Sequence, residues 1–332
     1  MSSDTKSELA AILNDAAIFP LDDRAFLHIS GSDATRWLNG MVTNSIQSLK
    51  PGEGNYNFLL NAQGRIQGDC TIYRYPKDKE AAFVLATDKS QIETITQLLD
   101  KFIIMDDVEL KTMDYYDQGL LLLGPKATKV LREIDDPFLG ETLSALEPLR
   151  LGYYQLTSEQ VTTPSPGLVP RFEVTADTMR DILIKDALAA GATLVSAESI
   201  EQFRILEGRP RFGVDIRDKD LPQETNQTHA LHFSKGCYLG QEIVERIRSR
   251  GQVHRTFSGF RLTALPATFP TPLTSEGKPA GELTSAATIG EQTLALGYVR
   301  REALDRNQPL EYEGGSATPS ALPFPMTTFS AT

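Results

Sequence analysis

Apolar and polar positions alternate in short runs through the first third of the chain, and stretches of helical spacing separate those runs. After a polar lead-in, Arg24 to Ile29 reads as a strand, and Gly31-Ser32-Asp33 introduces a helix with Trp37, Leu38, Met41 and Val42 on one face and Ser32 as its N-cap. Pro51-Gly52-Glu53-Gly54 is a turn. Beyond it Tyr56, Phe58 and Leu60 alternate with polar residues, as a half-buried strand does, and Asn61-Ala62-Gln63-Gly64 closes a hairpin into Asp69 to Tyr75. A third strand, Ala82 to Thr87, leads to a helix carrying Ile92, Ile95, Leu99, Phe102 and Ile103, and Asp107 to Thr112 follows as another strand. The predicted order, β-α-β-β-β-α-β, is that of a split βαβ layer with an added strand.

The pattern then starts again. Gly119 to Leu123 is apolar and Gly124-Pro125-Lys126-Ala127 begins a helix, echoing Ile29 to Leu38 as a weak internal repeat. Strands near Tyr153 to Thr157 and Arg171 to Thr175 follow, then a helix with Met179, Ile182, Leu183 and Leu188 ended by Gly191, and another from Glu198. Past Arg255 the chain changes to short strands, Phe257 to Leu262, Gly281 to Thr288, Leu294 to Val299 and Leu310 to Tyr312. Pro266, Pro270, Pro272 and Pro279 lie among them, which predicts a small β-barrel.

A chain of 332 residues exceeds one core, so two or three domains are expected, and 40% hydrophobic with 23% charged residues is a globular balance. No stretch approaches the roughly 20 apolar residues of a spanning helix, and the first residues lack the marks of a secretory or transit peptide. The expected location is the cytoplasm, with no membrane partner. A net charge of −11 argues against broad nucleic-acid binding. Of the two cysteines, Cys70 falls in a strand and Cys237 lies far from it, so neither a disulfide, a CxxC zinc site nor a four-cysteine cluster is available from this chain alone.

The densest concentration of candidate chemistry is Lys235-Gly236-Cys237-Tyr238-Leu239-Gly240-Gln241-Glu242. Gly236 and Gly240 bracket the cysteine, where backbone must turn sharply or approach a ligand. A short amphipathic helix with Ile243 and Ile247 opens near Leu239 or Gly240, which puts Cys237 just before a helix N-terminus. Lys235 adds a positive charge, an arrangement that favours a thiolate. Lys235, Arg246, Arg248, Arg250 and Arg255 outnumber Glu242 and Glu245, making a basic island in an acidic protein, either an anion or partner patch or a solvated face. His229, His232 and His254 lie close enough in sequence to Cys237 to suggest zinc, but His-x-x-His arises often by chance and no metal is expected.

The string KGCYLGQE, with Arg246, Arg250-Gly251 and His254-Arg255, closely resembles the signature of the YgfZ family, folate-binding proteins related to the glycine-cleavage T-protein, an aminomethyltransferase. The resemblance extends over Asp33 to Asn44, Asn61 to Ile66 with Asp69, Gly124-Pro125, Phe203 to Gly208, Gly213, Asp215, Pro222, Glu224 and the tail strands. It implies an α+β fold, a T-protein-like three-domain ring of ferredoxin-like split βαβ domains plus a C-terminal β-barrel. Residues 18–50 and 114–254 would form a discontinuous folate-binding domain, residues 51–113 a second α+β domain and residues 255–332 the barrel.

It also implies tetrahydrofolate as the cofactor and iron-sulfur client or assembly proteins as partners. The function would be iron-sulfur cluster assembly or repair, supporting enzymes that include tRNA-modifying ones, with Cys237 and Lys235 as the reacting pair. Folate contacts are expected from Asp69, Arg204, Gly236, Tyr238, Gln241, Glu242 and Arg246. Arg204 would take the folate's glutamate tail or ring carbonyl, or else staple its helix to Asp215 or Glu224. Asp69 would bond folate N–H groups or satisfy its own turn. The alternative is a folate-dependent aminomethyltransferase or demethylase. Against it, the Gly-Tyr-Thr-Gly-Glu loop of T-proteins is replaced by Pro164-Ser165-Pro166-Gly167-Leu168-Val169-Pro170-Arg171-Phe172, and their Asp-Asp pair by Gly68-Asp69.

Overall fold

A computed structural model describes residues 3–75, 82–113, 118–134, 152–155, 159–163, 167–176, 180–251, 253–306 and 309–325. Its two open sheets and one closed barrel meet around a central cavity. Helix α1 (Ser3–Asn14) occupies the stretch expected to be a polar lead-in, because Leu9 and Ile12, one helical turn apart, are both buried. Its Glu8 carboxylate takes the Ser196 hydroxyl and amide and the Ser199 hydroxyl, and those bonds hold the Glu8 pKa low against the opposing effect of burial.

Strand β1 (Ala17–Leu21) enters the first sheet, and β2 (Arg24–Ser30) enters the second. Next come α2 (Ala34–Met41), β3 (Gly54–Leu60), β4 (Ile66–Arg74), β5 (Phe83–Asp88), α3 (Lys89–Asp100) and β6 (Glu109–Thr112), in the expected order. The second sheet runs β3-β4-β5-β2-β6, wholly antiparallel, with α2 and α3 packed through Trp37, Leu38, Ile95 and Leu99. Two expectations are corrected here. The resemblance implies that residues 18–50 belong to the first domain, but β2 pairs with β5 and β6, so the part from Arg24 onward joins the second sheet. Phe102 and Ile103 lie past the end of α3; Phe102 is partly exposed, and its carbonyl accepts the Trp37 indole N–H at 3.0 Å.

The chain returns to the first sheet with β7 (Gln118–Leu123), α4 (Ala127–Glu133), β8 (Gly152–Gln155), β9 (Glu159–Thr163), β10 (Arg171–Ala176), α5 (Arg180–Ala189), β11 (Thr193–Leu194) and α6 (Ala197–Glu207). The sheet order is β11-β1-β7-β10-β9-β8. The unbroken apolar run of β7 has a packing reason. Leu120 and Leu122 face α4 and α5, whereas Leu121 and Leu123 face α1, α6 and the barrel, so both faces are covered.

After α7 (Gln241–Arg250), β12 (Arg255–Leu262), β13 (Thr271–Ser275), β14 (Lys278–Ile289), β15 (Gln292–Arg300), β16 (Leu310–Tyr312) and β17 (Gly315–Ser320) close the barrel in the order β12-β15-β14-β13-β16-β17. Beyond β17, residues 321–325 fold back as a strap. Phe324 is 1% exposed and its amide donates to the Leu206 carbonyl at 3.0 Å. A Cβ at Gly208 would lie 2.6 Å from Leu322, and one at Gly259 would lie 2.7 Å from it, so both glycines make room for this strap.

Arg255, counted with the basic island, turns inward instead. It pairs with Asp220, Glu224 and Glu282 and lies 4.5 Å from the Tyr298 ring centre, tying the barrel to the loop before α7. The island is correspondingly smaller. Arg248 pairs with Glu245 and stacks on Phe233, Arg246 faces solvent, and the Arg250 side chain is outside the described residues.

Candidate functional site: a pinned thiol loop beside a charged cavity

Residues 229–239 lie along Gly40–Asn44 and are fastened to it by backbone groups. Asn44 Nδ2 donates to the His229 carbonyl at 2.8 Å, Thr43 Oγ1 to the Ala230 carbonyl at 2.7 Å, and the His232 amide to the Thr43 carbonyl at 3.1 Å. Lys235 Nζ donates to the carbonyls of Val42 at 2.7 Å and Asn44 at 2.5 Å, and the Leu239 amide donates to the Gly40 carbonyl at 3.0 Å. Burial pushes the Lys235 ammonium down to about 7, and the Tyr238 ring lies 5.1 Å from it.

Downstream, Gly240 adopts a left-handed φ of 80° where a Cβ would lie 2.5 Å from the Asn61 carbonyl oxygen. A Cβ on Gly64 would in turn meet Ile243 at 2.7 Å. The turn Asn61–Gly64 and the start of α7 therefore interlock at two glycines, which explains both motifs physically. The Gln241 side chain accepts the Tyr238 amide at 3.0 Å. Between these anchors Cys237 is exposed and Gly236 has open space around it.

The cavity, about 460 Å³, lies where the two sheets, α6 and the barrel meet. On the second sheet, half-buried Asp69 accepts the Tyr56 hydroxyl at 2.5 Å and the Gln91 amide at 2.8 Å. Burial raises its pKa, outweighing those two bonds. His229 stacks on Tyr56 with ring centres 5.4 Å apart, and burial with the nearby Arg209 cation lowers its pKa. Arg24 joins the sheets, pairing Asp88 at 2.8 Å and Glu173 at 3.1 Å.

On α6, Arg204 directs all five N–H groups at protein acceptors: both Glu201 oxygens at 2.9 and 2.7 Å, Asp215 at 2.6 Å, the Arg209 carbonyl at 2.6 Å and Ser285 Oγ at 2.9 Å. Asp215, fully buried, also takes the Arg211 amide and the hydroxyls of Thr284 and Ser285 on β14.

Residues 1–157 match the GCVT N-terminal domain. The chain is 29% identical over 252 residues to the iron-sulfur cluster assembly factor IBA57 homolog, mitochondrial, of Pyricularia oryzae, covering 72% of this chain and 56% of that protein's length. It is 25% identical over 338 residues to the aminomethyltransferase of Nostoc sp., covering 95% of this chain and 85% of that one. The solved aminomethyltransferase T of the glycine cleavage system from Bartonella henselae superposes with a TM-score of 0.82, at 19% identity, over 96% of this chain and 88% of that one, a likeness of fold. These matches are consistent with a YgfZ family protein related to the T-protein.

The predicted site residues divide into two groups. Asp69 and Arg204 line the cavity, while Cys237 and Lys235 belong to the pinned loop outside its lining. Gly236, Tyr238, Gln241, Glu242 and Arg246, expected at the folate, do not line it either. Tyr238 is buried among Phe58, Leu60, Ile66 and Val244, Gln241 is spent on the Tyr238 amide, and Gly236, Glu242 and Arg246 face solvent. Arg204 is the staple to Asp215 that its sequence context allowed.

Sequence reasoning missed Tyr56, Glu207, Arg209 and Arg211. In the sequence Tyr56 is only one position of an alternating strand. Glu207 is the last residue of α6, and Arg209 and Arg211 follow the Gly208 turn as Arg209-Pro210-Arg211, a visible charge cluster whose destination depended on that turn. The histidine reading changes too. His229 lies in the short turn Thr228–Ala230 with its ring against Tyr56, His229 and His232 are both exposed, and among the described residues no group of three or more His, Cys, Asp or Glu could hold a metal ion. Among the described residues no helix is long and apolar enough to cross a membrane.

Proposed function

We propose that this protein is a tetrahydrofolate-binding accessory protein for iron-sulfur cluster assembly or repair in the cytoplasm. Its clients include tRNA-modifying iron-sulfur enzymes, and Cys237 is its essential thiol. The observation that carries this reading is the exposure of Cys237 at the free point of a loop otherwise pinned to Gly40–Asn44. One thiolate supplies one ligand to a cluster shared with a partner, and a rigid, accessible loop presents it without a large ordering cost. The cluster is cargo and the partner supplies its remaining ligands.

The residues present fit a folate. The cavity's 460 Å³ falls in the range of small-molecule sites, and its wall offers a carboxylate, aromatic faces and guanidinium groups. Asp69, Tyr56, His229, Asn226 and Gln227 would hold the bicyclic ring. When bound, tetrahydrofolate supplies a carrier for one-carbon groups.

Aminomethyl transfer is the second reading, favoured by the relatives named aminomethyltransferase. Residues 164–166 lie outside the described residues, and residues 167–172 contribute no carboxylate; Val169 is buried in an apolar cluster. Electrostatic stabilisation at a pterin would then lack that group, so little turnover is expected.

The test is complementation of a strain lacking the protein, scored by the activity of an iron-sulfur tRNA-modifying enzyme, beside calorimetric titration with tetrahydrofolate. Cys237→Ser should abolish complementation and leave folate affinity unchanged. Full complementation by that variant, or the absence of folate binding by the wild type, would sink the reading. Turnover of tetrahydrofolate with an aminomethyl donor would favour the alternative.

A further inference from the structure

Among the described residues the two most exposed large apolar side chains are neighbours. Ile104 is 81% and Met105 94% exposed, and Phe102 beside them is partly exposed. They sit on the turn between α3 and β6, which is clamped on both sides to the start of α2. The Trp37 indole donates to the Phe102 carbonyl at 3.0 Å, and Arg36 pairs with Asp106 at 2.5 Å. The Asp107 amide donates to the Asp33 carboxylate at 3.0 Å, and the Asp33 amide donates to the Asp107 carbonyl at 3.2 Å. The Asp107 carboxylate in turn takes the Ser32 amide and hydroxyl. Backbone fastened in this way holds Ile104 and Met105 out in water, and adjacent apolar side chains so presented mark an interaction site.

Helix α2 connects this turn to the thiol loop. Arg36 and Gly40, four residues apart, share one face of the helix and lie about 6 Å apart along its axis. Arg36 takes Asp106 at one end of that face. At the other, a Cβ on Gly40 would lie 4.0 Å from the Cys237 carbonyl oxygen, and the Gly40 carbonyl takes the Leu239 amide. Along these contacts Cys237 and Asp106 are about 20 Å apart at most. An ordinary protein interface covers about 800 Å² on each partner, a patch on the order of 30 Å across, so one partner spans both features.

The two ends of this surface differ in charge. Asp33, Asp100, Asp106 and Asp107 outnumber Arg36 and Lys101 around the turn. Arg246 and Arg248 stand on α7, where Arg248 stacks on the partly exposed Phe233 at the start of the thiol loop.

We propose that the Ile104–Met105 turn is the docking knob for the protein that shares a cluster with Cys237. That partner carries an apolar depression rimmed by basic side chains, which suits the acidic turn, beside its own anionic thiolate ligands, which suit the arginines of α7. The knob's role rests on the reading of Cys237 as a cluster ligand, and it supplies the contact area that a single sulfur ligand lacks.

The experiment expresses the full chain from a titratable promoter in the strain lacking the protein, with iron-sulfur enzyme activity as the readout and each variant's melting temperature recorded. At limiting expression the double variant Ile104→Ser, Met105→Ser should lower that activity about tenfold or more, and Met105→Leu should keep it. Raising expression by a similar factor should restore the double variant, because concentration offsets a weaker Kd, whereas Cys237→Ser should stay inactive at every level. The photo-cross-linking amino acid p-benzoylphenylalanine, placed at position 105 and separately at position 234 on the thiol loop, should trap the same protein, identified by mass spectrometry and itself a cysteine-ligated iron-sulfur protein.

Full activity of the double variant at limiting expression, or a loss that higher expression does not restore, would overturn the docking surface. So would trapping no protein, different proteins at the two positions, or a shared protein without cluster ligands. With Cys237→Ser inactive, the thiol reading would survive each of those results. One iron-sulfur protein trapped at both positions while Cys237→Ser is fully active would uphold the docking surface and overturn the thiol reading.

Discussion

The cavity wall and the thiol loop are built from opposite materials. The wall is charge held by charge: Arg24, Arg204, Glu207 and Asp215 each have several ionic or charge-assisted partners, most of them buried. The loop is held mainly by hydrogen bonds to backbone carbonyls, from amides, a hydroxyl and the Lys235 ammonium, and its exposed Cys237 lies between the anchors. A residue that binds ligand in the wall also supports the fold, because leaving a buried charge without its partner is costly. Cys237, in contrast, can be changed without disturbing packing. Substitutions in the two regions should therefore separate folding from function in opposite ways.

The largest expected contrast comes from Cys237→Ser. Iron-sulfur-dependent complementation should vanish, while the urea midpoint and the tetrahydrofolate affinity stay at wild-type values. A fall in stability of several kcal/mol would show that the thiol belongs to the structure after all, and would erase the distinction.

Arg204→Ala tests the other side. Removing the guanidinium strands Asp215 at the α6–β14 junction and frees the Arg209 carbonyl, so the ligand-free protein should lose about 3–5 kcal/mol by urea denaturation. A ligand-free stability equal to wild type, with only folate affinity reduced, would return Arg204 to the role of a ligand contact.

The fold was legible wherever one physical rule governed a segment. Alternation and helical spacing gave the order from β2 to β6, and the proline-spaced short strands gave the barrel. Helix α1 was not legible, because its amphipathic stripe is short and its burial comes from α6, far along the chain. The boundary at residue 50 failed for a related reason. Sheet membership is decided by which strand edges pair, and β2 carries nothing local that says it will join β5 rather than β1.

At the site, KGCYLGQE marked the loop because a turn needing Gly240 and an exposed cysteine leave local signs. The partners of Arg204 and Arg209 left none. Which of two arginines saturates a carboxylate and which is left facing the cavity depends on contacts across three parts of the chain.

The strap sharpens the comparison at the barrel side of the cavity, where the wall is apolar. Phe324→Ala removes a buried ring, and near a chain end the loss should sit at the low end of such truncations, about 3 kcal/mol by urea denaturation. Leu322 and Pro323 line the cavity, so the same variant should release tetrahydrofolate faster in a stopped-flow chase. Unchanged release with lowered stability would make the strap a packing element only.

A pH-dependent contrast belongs to Lys235, an ionisable side chain that fastens the thiol loop. Its ammonium is the form that burial penalises, and its pKa falls from the ordinary value of 10.5 to about 7 in the folded protein. Below pH 7 both folded and unfolded chains carry the proton, and the folded state bears the full penalty. Between about 7 and 10.5 the folded state has released the proton and the unfolded state keeps it, so the unfolded state binds more protons and stability rises with pH across this window. In Lys235→Met that rise should be missing. The measurement is the difference between wild-type and variant unfolding free energies from urea titrations at pH 6 to 10, which cancels the groups both proteins share. Wild type should gain on the variant as pH increases, because its neutral amine still donates to the Val42 and Asn44 carbonyls. Parallel curves would mean that those two carbonyls offset the burial of the ammonium, and that the loop is held equally well in either protonation state.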